Sequence, residues 1–194
     1  MSNPLPQGPF GCIVADPAWR FVMRSAKGLE GRPQHYARMT QAQIKALPVA
    51  DVAAPDCHLF LWTTGPHMRQ AFDVMDAWGF KFSTMAFTWI KLNPGEAASL
   101  FMTDSSFFMG QGYTTRKNSE WVLLGRRGKP KRHAKNVREL IIAQRREHSR
   151  KPDQFFERVE RYVGDVPKLE LFSRTDRPGW ETWGDQVGRW RIAA

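Results

Sequence analysis

Asp16-Pro17-Ala18-Trp19 follows directly on the apolar run Cys12-Ile13-Val14-Ala15. The tetrapeptide brings together a carboxylate, a carbonyl on a residue with no N–H of its own, and a wide aromatic face. In open α/β sheets ligands bind beyond the carboxyl ends of the strands, which is where these residues fall. One substrate suits the set. The lone pair of adenine's exocyclic amine is delocalised into the ring, so the amine is a poor nucleophile. The Asp16 carboxylate and the Pro17 carbonyl can each accept an amine hydrogen, localising the lone pair on nitrogen for attack on a sulfonium methyl. Pro17 fixes its own φ and stiffens the turn. Trp19 offers a surface for stacking an extruded base, worth about 1–3 kcal/mol in single-strand binders, and a base inside a duplex must be flipped out to be reached. Read alone, the tetrapeptide fits an ordinary strand-ending turn with a core Trp about as well, because Asp-Pro turns are common.

The elements that must position these residues form one α/β pattern, which fits a single domain over residues 1–194. Cys12–Ala15 reads as the first strand. Thr40 and Gln43 make a capping box ahead of Ile44 and Leu47, so a short helix starts there. His58–Trp62 reads as a buried strand. Residues 66–78 read as a helix, opened by Pro66, striped by Met68, Phe72 and Met75, and stopped at Gly79. Three further strands are expected at Ser83–Ile90, Glu120–Leu124 and Glu139–Ala143. A helix follows from Pro152, with Phe155, Phe156, Val159 and Val163 at core spacing, and Lys168–Phe172 is the last clear strand. A flexible loop is expected over about 93–116, rich in Gly, Ser and Phe. Within it Gly110-Gln111-Gly112 is too short for a phosphate loop and fits a lid hinge instead.

Charge points to the partner. Between Arg116 and Lys151 thirteen Lys and Arg face three Glu, and this excess equals the whole net charge of +10. Such a concentration is the footprint of a polyanion, although a basic run can also be merely solvated. We assign Arg126, Arg127, Lys129, Lys131, Arg132 and Lys135, within a basic segment at about 116–151, to nucleic-acid phosphate contact. Phosphate contacts position without specifying sequence, so binding should be salt-sensitive with modest sequence preference. No broad apolar helix accompanies the charge, which argues against a membrane surface. No apolar run reaches the ~20 residues of a span, and the N-terminus lacks a signal-peptide pattern; a cytoplasmic protein is expected. Cys12 and Cys57 have no metal or redox spacing and read as reduced core residues. No metal site is expected.

Several separated motifs carry a family resemblance. After Asp16-Pro17-Ala18-Trp19 come His35-Tyr36-x-x-Met39-Thr40, Leu59-Phe60-Leu61-Trp62-Thr63-Thr64-Gly65 and Trp78-Gly79-Phe80. Trp89-Ile90-Lys91, Asn118-Ser119-Glu120, His148-Ser149-Arg150-Lys151-Pro152 and Lys168 to Arg174 continue the order, and Gly179-Trp180-Glu181-Thr182-Trp183-Gly184-Asp185-Gln186 closes it. In this order the chain resembles the MT-A family of adenine methyltransferases. That family includes the catalytic subunit of the eukaryotic messenger-RNA methyladenosine writer and many bacterial and phage DNA enzymes.

The resemblance implies a Rossmann-like methyltransferase fold with a mixed, mostly parallel sheet, helices on both faces and a circularly permuted motif order. S-adenosyl-L-methionine would be the cofactor and N6-adenine in DNA the target, with the same chemistry on RNA as the alternative. By residue, it places Asp16, Pro17, Ala18 and Trp19 at the target base and Tyr36 in its pocket. Trp89 and Lys91, at a strand end, are candidate substrate contacts. Ser119, Glu170, Phe172, Arg174, Asp185 and Gln186 are implied for the cofactor. The family usually has a second proline where this chain has Ala18, which loosens the turn slightly. Its closing motif more often reads Asn or Asn-Glu where this chain has Asp185-Gln186, and Asp176-Arg177 replaces a His-Asn pair of the eukaryotic enzyme. The family's accessory subunits lose the acidic tetrapeptide. Asp16 and Trp19 therefore argue for an active enzyme over a non-catalytic nucleic-acid-binding subunit. The resemblance also allows a homodimer.

Of the eight Trp, Trp62, Trp78, Trp121, Trp180 and Trp183 read as core. His133 and His148 read as surface or capping residues, since amine methylation needs no catalytic histidine.

Overall fold

A computed structural model describes residues 3–19, 38–110, 114–147 and 149–191. Seven strands form one sheet: β1 (Phe10–Ala15), β2 (Ala53–Thr63), β3 (Lys81–Leu92), β4 (Ser119–Arg127), β5 (Leu140–Gln144), β6 (Lys168–Leu171) and β8 (Glu181–Trp183). Their order across the sheet is β5-β3-β4-β2-β1-β6-β8. Only β4 runs against its neighbours; the other four pairings are parallel. A separate two-stranded pair joins β7 (Thr175–Asp176) to β9 (Trp190–Arg191).

Both faces of the sheet are covered, so its central strands read as continuous apolar runs. Ile13 and Ala15 of β1, with Leu59 and Leu61 of β2, face one core with α1 (Gln41–Lys45), α2 (Val49–Val52) and α3 (Met68–Ala77). Cys12, Val14, Phe60 and Trp62 face the other core, closed by α4 (Asp153–Val163).

The helices begin and end for local reasons. At α1 the Gln43 N–H donates to Thr40 Oγ1 at 3.2 Å and the Thr40 N–H donates to Gln43 Oε1 at 2.8 Å, completing the expected capping box. α3 starts two residues later than the apolar pattern predicts, because Gly65–His67 forms a tighter turn ahead of it. Its buried line is Ala71, Val74 and Met75, and Met68 and Phe72 flank that line half-buried. Gly79 ends the helix at φ +78°. Pro152 caps α4 from outside, and all four of the expected core positions, Phe155, Phe156, Val159 and Val163, are buried.

β3 and β4 extend beyond their expected limits, and β7, β8 and β9 are additional. Elements of two or three residues are too short to show a period. Within 93–116 the described residues hold a short 3-10 helix at Asp104–Ser106, and Asn93 Nδ2 pins it by donating to the carbonyls of Ser105 and Phe107. Gln111 and Gly112 of the expected hinge, and His148, lie outside the described residues. Trp62, Trp78, Trp180 and Trp183 are buried as expected, whereas Trp121 is half-buried. Cys12 and Cys57 are buried free thiols, and burial pushes Cys57 up to about 12. No described helix is long and apolar enough to cross a membrane.

Candidate active site

Asp16 leaves the carboxyl end of β1 between β2 and β6, the position at which a parallel sheet presents a ligand site. The next three residues form a braced turn. The Trp19 N–H donates to the Pro17 carbonyl at 2.8 Å, a bond across three residues of the γ-turn type. This bond uses one of the two lone-pair directions of Pro17, so the carbonyl keeps a single acceptor site for a ligand. Ala18 is buried, and its carbonyl accepts from the Met39 N–H at 3.1 Å. Trp19 is held on one side by stacking on His67, at 5.5 Å between ring centroids and 13° between planes. Its Nε1 donates to the Trp62 carbonyl at 3.3 Å.

A chain of alternating charges runs from Asp16 into the sheet. Lys151 Nζ lies 2.9 Å from Asp16 Oδ2 and 2.9 Å from Glu120 Oε2, and Lys91 pairs with Glu120 Oε1. The fold explains the convergence. Glu120 sits on β4 directly opposite Trp89 of β3, so Lys91, two residues on, reaches it diagonally. Lys151 stands just ahead of the Pro152 cap, and its ammonium also lies 4.8 Å from the centre of the Trp62 ring. Burial pushes the Glu120 carboxyl up, but Lys151 and Lys91 overcome it and hold the group at about 2. Burial likewise opposes the charge on Lys151, and Asp16 and Glu120 reverse that effect and raise it above the usual lysine range.

Two cavities meet at Asp16. The larger, about 290 Å³, is walled by Pro17, Trp19, Thr64, Trp89, Lys91, Phe108, Glu120 and Arg145. The smaller, about 30 Å³, is walled by Val14, Trp62, Phe156, Glu170, Phe172, Arg174, Arg177 and Trp190 among others. Asp16, Arg146, Ser149, Arg150 and Lys151 line both. In the smaller cavity Glu170 Oε2 and Arg177 Nε face each other at 3.6 Å, buried and without a hydrogen-bond partner. Burial lifts the Glu170 carboxyl to about 7 against the pull of Arg177. Phe172, at the end of β6, takes φ +62°, a conformation uncommon outside glycine. Buried polar atoms that face each other without a hydrogen bond in a cavity wall fit a ligand that brings a hydroxyl or ammonium group of its own.

The expected residues divide by place. Asp16, Pro17, Trp19, Trp89 and Lys91 line the larger cavity, although Trp89 is buried and spends its Nε1 on the Ala143 carbonyl at 3.0 Å. Glu170, Phe172 and Arg174 line the smaller one. Ser119 lines neither; its neighbour Glu120 does. Asp185 and Gln186 lie in the turn after β8, outside both linings, and Gln186 Oε1 accepts from Arg189 at 3.0 Å. Tyr36 lies outside the described residues. Arg126 and Arg127 end β4 against the start of β2, at the opposite end of the sheet from Asp16, and Lys129, Lys131 and Arg132 follow them there. The cations that do rim the cavities include Arg145, Arg146, Arg150 and Lys151, which belong to the same basic segment but which its composition does not distinguish from the rest. Glu120 and Lys151 stand inside the family-like motifs, yet nothing in one sequence says that residues 31 apart share an ion pair.

The MT-A70 family model matches residues 10–186. A type II methyltransferase, M.MunI, of a Mycoplasma species is 29% identical over 94% of this chain and 80% of its own length. An Arabidopsis thaliana N(6)-adenosine-methyltransferase MT-A70-like protein is 29% identical over 95% of the chain, and the human N(6)-adenosine-methyltransferase catalytic subunit METTL3 is 27% identical over 93%. The chain spans about a quarter of the length of these last two. With the match running from β1 through the turn after β8, the chain belongs to the MT-A70 family of adenine methyltransferases.

Proposed function

We propose that this protein is an S-adenosyl-L-methionine-dependent methyltransferase that modifies the N6 amine of adenine in DNA, on a Rossmann-like fold of permuted motif order. The order is read from Asp16 after β1 and Glu170 on β6, with the base-handling turn early and the cofactor strand late. One observation carries the reading: a base-sized cavity and a polar cavity meet at the Asp16 carboxylate.

In the larger cavity the target adenine stacks on Trp19. Asp16 accepts one amine hydrogen and the remaining lone pair of the Pro17 carbonyl accepts the other. Lys151 holds Asp16 in orientation at 2.9 Å. The smaller cavity has room for only the part of the cofactor next to Asp16; there Glu170 would accept from a hydroxyl or ammonium group, and Arg174 and Arg150 would offer a cationic wall to a carboxylate. S-adenosyl-L-methionine, when bound, would supply the methyl group. The amine then loses one proton, to Asp16 or to solvent. Ser119, Asp185 and Gln186 have no part in this reading.

DNA is favoured by the similarity to the Mycoplasma type II methyltransferase, which covers most of that protein's length. The same chemistry on RNA is the second reading, favoured by the plant and human adenosine methyltransferases at nearly equal identity. Incubation with labelled S-adenosyl-L-methionine and matched DNA and RNA oligonucleotides, with mass spectrometry of the nucleosides, tests both. N6-methyladenine in DNA is expected. An Asp16→Ala variant that binds cofactor and methylates as fast as the parent would remove the mechanism.

A further inference from the structure

The basic run at the far end of the sheet is a structured surface. From Arg126 to Arg138 there are seven Lys and Arg and no acidic residue. The run has little regular structure after β4 ends, yet it is pinned along its length. The Lys129 N–H donates to Asp56 Oδ1 at 2.7 Å, and the His133 N–H donates to the Tyr162 carbonyl on α4 at 2.7 Å. Arg158 of α4 donates to the carbonyls of Arg138 and Leu140 at 2.8 and 2.7 Å, and Arg161 donates to Asn136 Oδ1 at 3.3 Å.

Pinning forces like charges together. Lys81 and Arg126 stand directly opposite each other across β3 and β4, an arrangement that is destabilising by itself. His58 is the Arg126 partner on β2, and its ring packs edge-on to Tyr162 at 5.2 Å, so Lys81 and Arg126 lie on the α4 side of the sheet. Burial first, and then the nearby charges of Arg138 and Arg161, lower the basicity of Arg158, with Glu157 opposing them. A solvated loop would let such charges spread. Here the backbone of the run is fixed against α4, with Arg126, Arg132 and Lys135 exposed where a polyanion can neutralise them.

Distance separates this surface from the cavities. Glu120 lines the larger cavity and Arg127 ends the same strand seven residues later, ~24 Å away at ~3.4 Å per residue. α4 connects the two ends: it starts beside Arg146, which pairs with Asp153 at 2.7 Å, and carries Arg161 eight residues on, ~12 Å along its axis.

We propose that Lys81, Arg126, Arg132, Lys135 and the exposed side of α4 at Arg161 form a second nucleic-acid contact, separate from the target-base cavity. It grips phosphates of the same strand or duplex away from the adenine, ~12 Å along α4 at Arg161 and farther out at the end of β4. The proposal rests on the methyltransferase reading only in taking the polyanion to be the substrate. The surface supplies affinity and plays no part in the chemistry, so its effect depends on substrate length.

The test uses a triple variant, Arg126→Gln/Arg132→Gln/Lys135→Gln, at three exposed side chains. Single strands of about 30 and about 6 nucleotides, each with one adenine, serve as substrates. Removing one phosphate-neutralising cation lowers the salt slope by about 0.7 for single strands, so a decrease of about 2 is expected with the long strand. The KM of the long strand should rise at least about tenfold at low salt, while kcat and the KM of the short strand stay unchanged. Equal slopes and equal KM values for parent and variant on the long strand would overturn the proposal. A loss of kcat on both lengths would also overturn it, since it would place these residues in the machinery of the site. Should the parent bind the long strand but methylate neither, the methyltransferase reading fails, and the binding slopes alone still decide whether the second contact exists.

Discussion

Lys151 places its ammonium 2.9 Å from Asp16 Oδ2 while contacting Glu120 at the same distance. One cation thus serves two carboxylates, one from the end of a parallel strand and the other from the single strand that runs against the rest. Asp16 would otherwise be one flexible carboxylate at the mouth of a cavity. The shared cation turns it into a fixed acceptor, and Lys91 on the far oxygen of Glu120 keeps that support in place.

Lys151→Met should therefore weaken both stability and methyl transfer. Removing one partner of a buried ion pair costs about 3–5 kcal/mol. Asp16 is about one-third exposed, which favours the lower end. At about 3 kcal/mol, the melting temperature should fall by about 6–12 °C for a chain of this size. Glu120 is held near 2 in the folded protein, below its unfolded value of about 4.3. Its contribution to stability is complete above about pH 4.3 and disappears as the pH falls through about 2. Thermal scans at pH 7 and pH 3 check this. The parent should lose part of its advantage over Lys151→Met at the lower pH, and an unchanged melting temperature in the variant would exclude a supporting role for the pair.

Glu170 has the opposite behaviour. Burial lifts its carboxyl to about 7, above the unfolded value of about 4.3. The folded state therefore binds the extra proton, and stability declines as the pH rises from about 4.3 through about 7. Glu170→Gln should flatten that decline in denaturant titrations. If the ionised carboxylate accepts hydrogen bonds from the cofactor, affinity for S-adenosyl-L-methionine should increase between about pH 6 and 8 in the parent and stay level in the Gln variant. Calorimetric titration at the two pH values separates these outcomes.

Trp19 combines a packing role with a proposed stacking role, and paired substitutions distinguish them. Phe keeps an aromatic face but loses the bond to the Trp62 carbonyl. Ala loses both that bond and the stack on His67. A base stack is worth about 1–3 kcal/mol, so Trp19→Ala should raise the nucleic-acid KM roughly tenfold to a hundredfold beyond Trp19→Phe. Cofactor affinity, measured separately, should be alike in the two variants. If Phe and Ala give the same KM, Trp19 is a core residue only.

Local pattern made much of this legible in the sequence, and long-range pairing accounts for what it hid. Phe155, Phe156, Val159 and Val163 identified the buried face of α4 because a helix repeats every 3.6 residues. Asp16 identified the mouth of the site because an apolar run ended there. The Lys151 to Glu120 pair joins two parts of the chain that no period connects. The charge of the basic run was evident from composition, but its position depended on the direction of β4. That strand starts beside the cavity and carries Arg126 and Arg127 away from it. Asp185 and Gln186 were picked out by a motif match, and they stand in the turn after β8 outside both cavity linings.

His58 provides a pH test at the far end of the sheet. It is buried beside Tyr162 and opposite Arg126, and burial together with that guanidinium lowers it to about 4. Its unfolded value is about 6.5, so the folded state excludes the proton. The associated stability is complete above about pH 6.5 and is lost as the pH falls through about 4. His58→Phe retains an aromatic ring against Tyr162 without a titrating group. Its stability, from urea unfolding at about pH 7 and 4.5, should decrease less than that of the parent over the same interval. Arg126→Gln removes the second of the two causes, so it should raise the His58 pKa and narrow the parent's loss, and proton NMR of the His58 ring reports that shift directly. A His58 resonance titrating near 6.5 in the folded parent would show that the imidazole is not shielded, and with it that Arg126 does not press on the α4 side of the sheet.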